Sequence, residues 1–443
     1  MNLTIIPGKP LQGETTLPGD KSISHRTALF AALAEGESRA ENFLVSGVTR
    51  AMLDALTDLG VPWELHGASL RVSGQGLHGL KAPVAALNCG NSATTMRLLA
   101  GGLAASGTAA VLDGTPGLRR RPMGRIVEPL RTMGVQIEAG PGCGAPLQIG
   151  GRPAGQTLHA VQYALPVASA QVKGCLLLAA LAGDGVTTLY ETGLSRDHSE
   201  TMLRSMGVHV ATVAQGMGRF AVTLLPPREG KLRPLRRVIP GDFSAAAFLI
   251  VAALITPGSQ VTLRGVGLNP TRTGLLSTLQ EMGADIRIDH RDEQNEEPTG
   301  DLTVRHSRLH GVRVRAERVV QMIDEFPIFG VAAAYAQGIS EVSQAEELRF
   351  KESDRIGALV QELHTLGVDA RETADGFVIQ GQGGLRGGKS DPHGDHRLAM
   401  SMTVAGLAAR DEVQVMGAEV AGESFPGFVA ALQGLGAGLT ASE

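Results

Sequence analysis

The chain has 443 residues, too many for one core of ordinary size, so two domains are expected. Its net charge is −4 and only 3% of its residues are aromatic, which excludes a nucleic-acid binder working by bulk charge or base stacking. The three cysteines, Cys89, Cys143 and Cys175, form no CxxC pair and no metal-ligand spacing, and so small a set implies a reducing compartment.

In chain order, the N-terminus MNLTIIPGKP has no basic region followed by a long apolar stretch, so no signal peptide is expected. The longest apolar run, Ala245 to Ile255, is too short to span a bilayer. A soluble cytoplasmic protein is expected. The first chemically informative stretch is LPGDKSISHRTAL, residues 17–29. It places Lys21, Ser22 and Arg26 at the start of a helix running to about Ala34. A helix start offers unpaired N–H groups and a positive dipole end, and the added cations suit a phosphate or carboxylate. A capped helix with a solvated basic face explains the same residues equally well when they are read alone.

The rest of the chain repeats the arrangement. A helical period of Leu, Met or Val ends in Leu-Gly or Met-Gly six times, at Gly60, Gly134, Gly207, Gly283, Gly367 and Gly436. Each glycine reads as a left-handed residue closing an amphipathic helix. A second helix type, apolar on nearly every face, alternates with the first: Thr27–Ala34, Ala93–Ala105, Val172–Ala182, Ala245–Ile255, Ile328–Ala336 and Leu398–Ala408. Helices of that kind are buried. Six units divide naturally into two groups of three. The motif Pro18-Gly19-Asp20 recurs as Pro240-Gly241-Asp242 and marks the expected crossovers, near 18–20 and 239–242. The expected domains are therefore 19–239, and 1–18 with 240–443. The charged stretch His290–Gly300 reads as a solvated hairpin tip.

Charged and polar residues gather at the helix starts: Lys21-Ser22, Asn91-Ser92, Ser169-Ala170-Gln171, Asp324 and Asp395-His396-Arg397 before the buried helices, and Arg119-Arg120-Arg121, Arg196-Asp197-His198 and Lys351 to Arg355 before the amphipathic ones. If the units pack alike, these starts converge, and two such domains facing each other would frame a basic cleft for a small polyanionic ligand. Gly383–Ser390 matches the P-loop pattern, but Asp391-Pro392 follows it and breaks the helix a P-loop requires, so ATP binding is rejected. Among twelve histidines there is no HExxH or paired-ligand spacing, so no metal is expected.

These motifs together resemble the 5-enolpyruvylshikimate-3-phosphate synthase family of enolpyruvyl transferases. The resemblance rests on LPGDKSISHR, GNSATTMRLL, RRRPMGRIVEPL, ASAQVKG, LSRDHSETM, IPGDFSAAAF, MIDEFPIFGVAAA, LRFKESDRI and GDHRLAMSM, in order along the whole chain. It implies an α/β fold of two inside-out domains, each of three βαβαββ repeats, closing on substrate. It implies transfer of the enolpyruvyl group of phosphoenolpyruvate to the 5-hydroxyl of shikimate 3-phosphate, without metal or organic cofactor. Carried over by motif, Lys21, Ser22, Arg26, Ser169, Ala170, Gln171, Arg196, Asp324 and Lys351 would form the shikimate 3-phosphate side. Lys21, Ala93, Arg121, Gln171, Arg355 and Arg397 would form the phosphoenolpyruvate side. Asp324 would be the base on the 5-hydroxyl and Glu352 the proton donor to carbon, with Lys21 a third catalytic group.

The partners implied are these two small molecules, with no nucleic acid and no membrane, and a monomer is expected. Many members have Gly at Ala93 and Ser at Ala170, and these two departures resemble the glyphosate-tolerant subclass. Many also have Lys at Glu423, which puts one phosphate contact in doubt. The sister enzyme acting on UDP-N-acetylglucosamine is the nearest alternative. It usually has Lys-Asn in place of Lys21-Ser22 and a reactive Cys in a loop where this chain, between Asp113 and Arg125, has none. A silent phospholigand- or RNA-binding protein on a related fold is the other alternative, and the paired acids Asp324 and Glu352 argue against it.

Overall fold

A computed structural model describes residues 1–294 and 297–442. The chain divides into two units. The first spans Gly19–Ile239, and the second joins Met1–Pro18 to Pro240–Glu293 and Glu297–Glu443. Helices of the first unit are α1 (Lys21–Leu33), α2 (Gly47–Asp58), α3 (Ala93–Ser106), α4 (Pro116–Arg119), α5 (Gly124–Thr132), α6 (Ala170–Ala180) and α7 (His198–Ser205). Those of the second are α8 (Phe243–Ile255), α9 (Gly274–Glu281), α10 (Glu317–Gln321), α11 (Phe326–Tyr335), α12 (Arg355–Thr365), α13 (His396–Gly406) and α14 (Phe428–Gly434).

Burial decides the architecture. All thirteen residues of α8 are buried, and α3, α6, α11 and α13 are buried along nearly their whole length. Such helices belong inside a core. The described residues form six four-stranded sheets, three in each unit. In each, a parallel pair is extended by antiparallel pairing. Strand Ser69–Gln75 alternates buried and exposed residues, with one face on the helices and one in water. Helices inside and sheets outside is the inverse of the usual α/β layering.

Pairing across long sequence distances closes each unit. Strand Arg236–Val238 pairs in parallel with Glu35–Glu41, so the end of the first unit completes its first sheet. The N-terminal strands do the same for the second unit. Gln12–Thr16 joins Gln260–Gly267, and Asn2–Ile6 sits between Val413–Val415 and Gly438–Ser442. That is why residues 1–18 belong with the second unit.

The six repeat glycines all have positive φ, from 77° to 102°, as a left-handed helix stop requires. Small residues permit close helix packing. A Cβ on Gly101 of α3 would lie 2.2 Å from the Cys175 carbonyl oxygen of α6. Four buried helices begin about two residues before their apolar runs, at Ala170, Phe243, Phe326 and His396. The first turn needs polar caps for its unpaired N–H groups, so polar residues lie within or just before the helix rather than well ahead of it.

Two further stretches are placed. His290–Gly300 falls on the long strands Asp285–Gln294 and Glu297–Arg305, and its turn lies outside the described residues. Gly388–Ser390 of the P-loop-like run is a strand, not a helix start, and Ser390 Oγ donates to Glu362 Oε2 at 2.7 Å. Among the described residues no helix is long and apolar enough to cross a membrane.

Candidate active site

In the first unit the starts of α1, α3, α6 and α7 meet through side chains. Asp20 caps α1 by accepting the Ile23 N–H at 2.9 Å, leaving Lys21 and Ser22 on its first turn, half-buried. Arg26, one turn further, is buried and fully committed. Its Nε donates to Ser199 Oγ at 2.7 Å, Nη1 to the Ser22 carbonyl at 3.0 Å, and Nη2 to the Ala170 carbonyl at 2.9 Å. Arg196 Nη1 donates to Ser22 Oγ at 3.3 Å. Four of the residues picked from sequence, Ser22, Arg26, Ala170 and Arg196, are thus joined by hydrogen bonds.

Gln171, on the first turn of α6, is held from two sides. Arg97 Nη1 donates to its Oε1 at 2.6 Å, and its Nε2 donates to Thr94 Oγ1 at 2.9 Å. Ser169 caps α6 by accepting the Val172 N–H at 3.4 Å. Ala93 is the first residue of α3, 5% exposed, behind the cap Ser92. Arg121 lies half-buried between α4 and α5. His25 ties two of these starts together, with Nδ1 2.8 Å from the Lys21 carbonyl and Nε2 3.4 Å from Ser92 Oγ. Burial pulls its pKa down to about 4, so the imidazole is neutral at pH 7.

In the second unit the starts of α11, α12 and α13 meet on one guanidinium. Arg355 donates from Nε to Asp395 Oδ2 at 2.7 Å and from Nη2 to Glu352 Oε2 at 2.7 Å. Its Nη1 faces Asp324 Oδ1 at 3.6 Å, and Arg397 Nη2 faces Asp324 Oδ2 at 3.7 Å. Those last two are ion pairs beyond hydrogen-bond length. Among the described residues neither Arg355 Nη1 nor Arg397 Nη1 has a hydrogen-bond partner, although both are buried. They are donors suited to an incoming anion.

Asp324 and Glu352 keep about a fifth of their side-chain surface exposed, 19% and 21%, while Arg355 and Asp395 are sealed at 1% and 0%. Asp354 caps α12 by accepting the Ile356 and Gly357 N–H groups, and Asp395 caps α13 through the Arg397 N–H. Lys351 follows the short turn Glu346–Phe350, half-buried. Glu423 lies 3.7 Å from His396 Nδ1.

Sequence reasoning gave no site role to Arg97 or Asp395. Both carry a readable signal. Arg97 is the one charged residue of α3, and a lone charge in an apolar helix needs a buried partner.

The family model described as EPSP synthase (3-phosphoshikimate 1-carboxyvinyltransferase) matches residues 5–432. The chain belongs to the EPSP synthase family. A relative from Geobacter sp. strain M21, named 3-phosphoshikimate 1-carboxyvinyltransferase, is 45% identical over 435 residues, covering 98% of this chain and 99% of the relative. One of the same name from Coxiella burnetii RSA 493 is 46% identical over 431 residues, covering 97% and 96%. The solved EPSP synthase of Acinetobacter baumannii superposes with a TM-score of 0.87 at 40% identity, over 100% of both chains. The EPSP synthase fold is therefore present from end to end.

Proposed function

We propose that the chain transfers the enolpyruvyl group of phosphoenolpyruvate to the 5-hydroxyl of shikimate 3-phosphate, releasing phosphate. One observation carries the chemistry. Two partly exposed carboxylates, Asp324 and Glu352, gather on the buried Arg355 beside Arg397. Addition of an alcohol to an enol phosphate needs a base at oxygen and an acid at carbon. Buried arginines with donors to spare fit the two anionic ends of phosphoenolpyruvate.

In this reading Asp324 takes the 5-hydroxyl proton as the oxygen bonds to carbon 2 of phosphoenolpyruvate. Glu352 gives a proton to carbon 3, and a tetrahedral adduct results. Glu352 then takes a proton back from the new methyl group, phosphate leaves with the proton that Asp324 took up, and the double bond is restored. Lys21, Arg121, Gln171, Arg355 and Arg397 hold phosphoenolpyruvate, with Ala93 against it. Ser22, Arg26, Ser169, Ala170, Gln171, Arg196 and Lys351, with Lys21, hold shikimate 3-phosphate. We read the enzyme as a cytoplasmic monomer without a nucleic-acid partner. Its acidic balance and 3% aromatic content support the last point.

The test is phosphate release from phosphoenolpyruvate with each acceptor in turn. Release with shikimate 3-phosphate and none with UDP-N-acetylglucosamine is expected. The reverse pattern overturns the reading.

A further inference from the structure

The most deeply buried charges of the first unit lie behind the candidate site. Lys173, on the second turn of α6, has no exposed side-chain surface, and neither do its two partners. Its Nζ is 2.9 Å from Glu191 Oε1 and 2.7 Å from Glu200 Oε1, and it donates to the Ser195 carbonyl at 3.1 Å. Two of these contacts are hydrogen bonds, to Glu191 and to the Ser195 carbonyl, and the Glu200 contact is an ion pair outside hydrogen-bond geometry. Glu191 is also bonded to the next loop, accepting Ser195 Oγ at 2.7 Å and the Ser195 N–H at 3.3 Å.

The residues next to these anchors are a site residue, Arg196, and a partner of one, Ser199. Arg196 comes directly after Ser195 and donates to Ser22. Ser199 comes directly before Glu200 and accepts from Arg26 Nε. The chain from Glu191 at the end of its strand to Glu200 in the first turn of α7 is thus pinned at both ends by one lysine. The packing leaves no slack. A Cβ on Gly174, the neighbour of Lys173, would lie 2.8 Å from Ser199 Oγ and 3.4 Å from Arg26 Nη2.

Burial raises the Glu200 carboxyl above its ordinary value, even against the pull of Lys173. Burial opposes the Lys173 ammonium, but Glu200 and Glu191 outweigh it and push its pKa above the ordinary lysine value. Such a cluster is a costly way to gain stability, because an apolar packing of equal volume does as well.

We infer that Lys173, Glu191 and Glu200 are positioning residues for the shikimate 3-phosphate half of the site, fixing Arg196 directly and Arg26 through Ser199. The inference rests on the proposed function. It goes beyond it in assigning substrate affinity to three residues that touch no substrate.

The experiment uses two variants of the full chain, Glu191→Gln and the charge-balanced double Lys173→Met with Glu200→Gln. Calorimetric binding of shikimate 3-phosphate is measured beside the KM for phosphoenolpyruvate and the melting temperature. Binding of shikimate 3-phosphate is expected to weaken about tenfold or more in each, with the phosphoenolpyruvate KM within about threefold of wild type. A merely structural cluster lowers the melting temperature but leaves the affinity of the folded fraction intact, and that result overturns the inference. Equal losses for both substrates also overturn it. If the double variant does not fold, Glu191→Gln decides alone. Wild type that binds no shikimate 3-phosphate is a different failure, that of the functional reading.

Discussion

Asp395 accepts two hydrogen bonds from Arg355, from Nε at 2.7 Å and from Nη2 at 3.2 Å, and both side chains are buried. The pair joins the start of α13 to the start of α12 and aims the rest of the guanidinium at Glu352 and Asp324. Burial alone would raise the Asp395 carboxyl, but Arg355 outweighs it and holds the group below the ordinary carboxylate value. Asp395→Ala is expected to cost about 3 kcal/mol, because it removes the one fully buried partner of Arg355 and leaves only the partly exposed Glu352 and Asp324. Denaturant unfolding measures that loss. Stability unchanged within error contradicts the pairing.

The two acids make a kinetic prediction. Asp324→Ala and Glu352→Ala are each expected to lower kcat by about a hundredfold or more. Binding of shikimate 3-phosphate, which the proposed reading assigns mostly to first-unit residues, is expected to change far less. Steady-state rates beside calorimetry separate the two effects. Near-normal turnover in either variant removes that residue from the mechanism.

Stability is expected to fall with acid through His25. Its folded pKa is lowered from 6.5 to about 4 by burial, so the unfolded chain takes up a proton that the folded chain refuses between those values. A lowered folded pKa means the contribution is whole above about pH 6.5 and is lost as pH falls towards 4. From pH 7 to pH 5 the loss is about 2 kcal/mol from this group. Denaturant unfolding of wild type and His25→Gln at both pH values checks it. The variant is expected to show the shallower fall, and equal slopes contradict the assignment.

Ala93 makes a prediction about inhibition. Its methyl group sits at the first residue of a buried helix, 5% exposed, where the proposed reading places phosphoenolpyruvate. Glyphosate has a longer chain between carboxylate and phosphonate and would have to compress. Overpacking of about 1–3 kcal/mol weakens an inhibitor roughly ten- to a hundredfold. Ala93→Gly is expected to raise glyphosate inhibition much more than it alters the phosphoenolpyruvate KM. Wild type already as sensitive as the variant contradicts the steric account.

Thiol chemistry gives a simple structural check. Cys143 is exposed, whereas Cys89 and Cys175 are buried and burial pushes each thiol up to about 12. An aromatic disulfide reagent is expected to titrate one thiol in the native chain and three in denaturant. Rapid native reaction of all three contradicts the packing of α3 against α6.

Much of the fold was legible because its signals are local. The six glycines could be read as helix stops from the periodic residues before them, and their positive φ values follow. The two Pro-Gly-Asp corners could be read as crossovers, and the structure adds that their Asp20 and Asp242 cap α1 and α8. Asp324, Glu352, Arg355 and Arg397 were visible as separate motifs, but their meeting on one guanidinium was not. It depends on three helix starts converging across about seventy residues, which no local pattern encodes. The partners of Lys173 and Arg97 were hidden for the same reason. A single charge in an apolar helix announces that a partner exists without saying which.

The central claim is chemical: the enolpyruvyl carbon ends on the 5-oxygen of shikimate 3-phosphate. The most direct measurement is carbon NMR of the product formed from phosphoenolpyruvate labelled at carbon 2. The account predicts a labelled enol-ether carbon coupled to the ring proton at position 5, with one phosphate released for each product formed. Label recovered as pyruvate, on another ring oxygen, or on UDP-N-acetylglucosamine offered in its place, would contradict it.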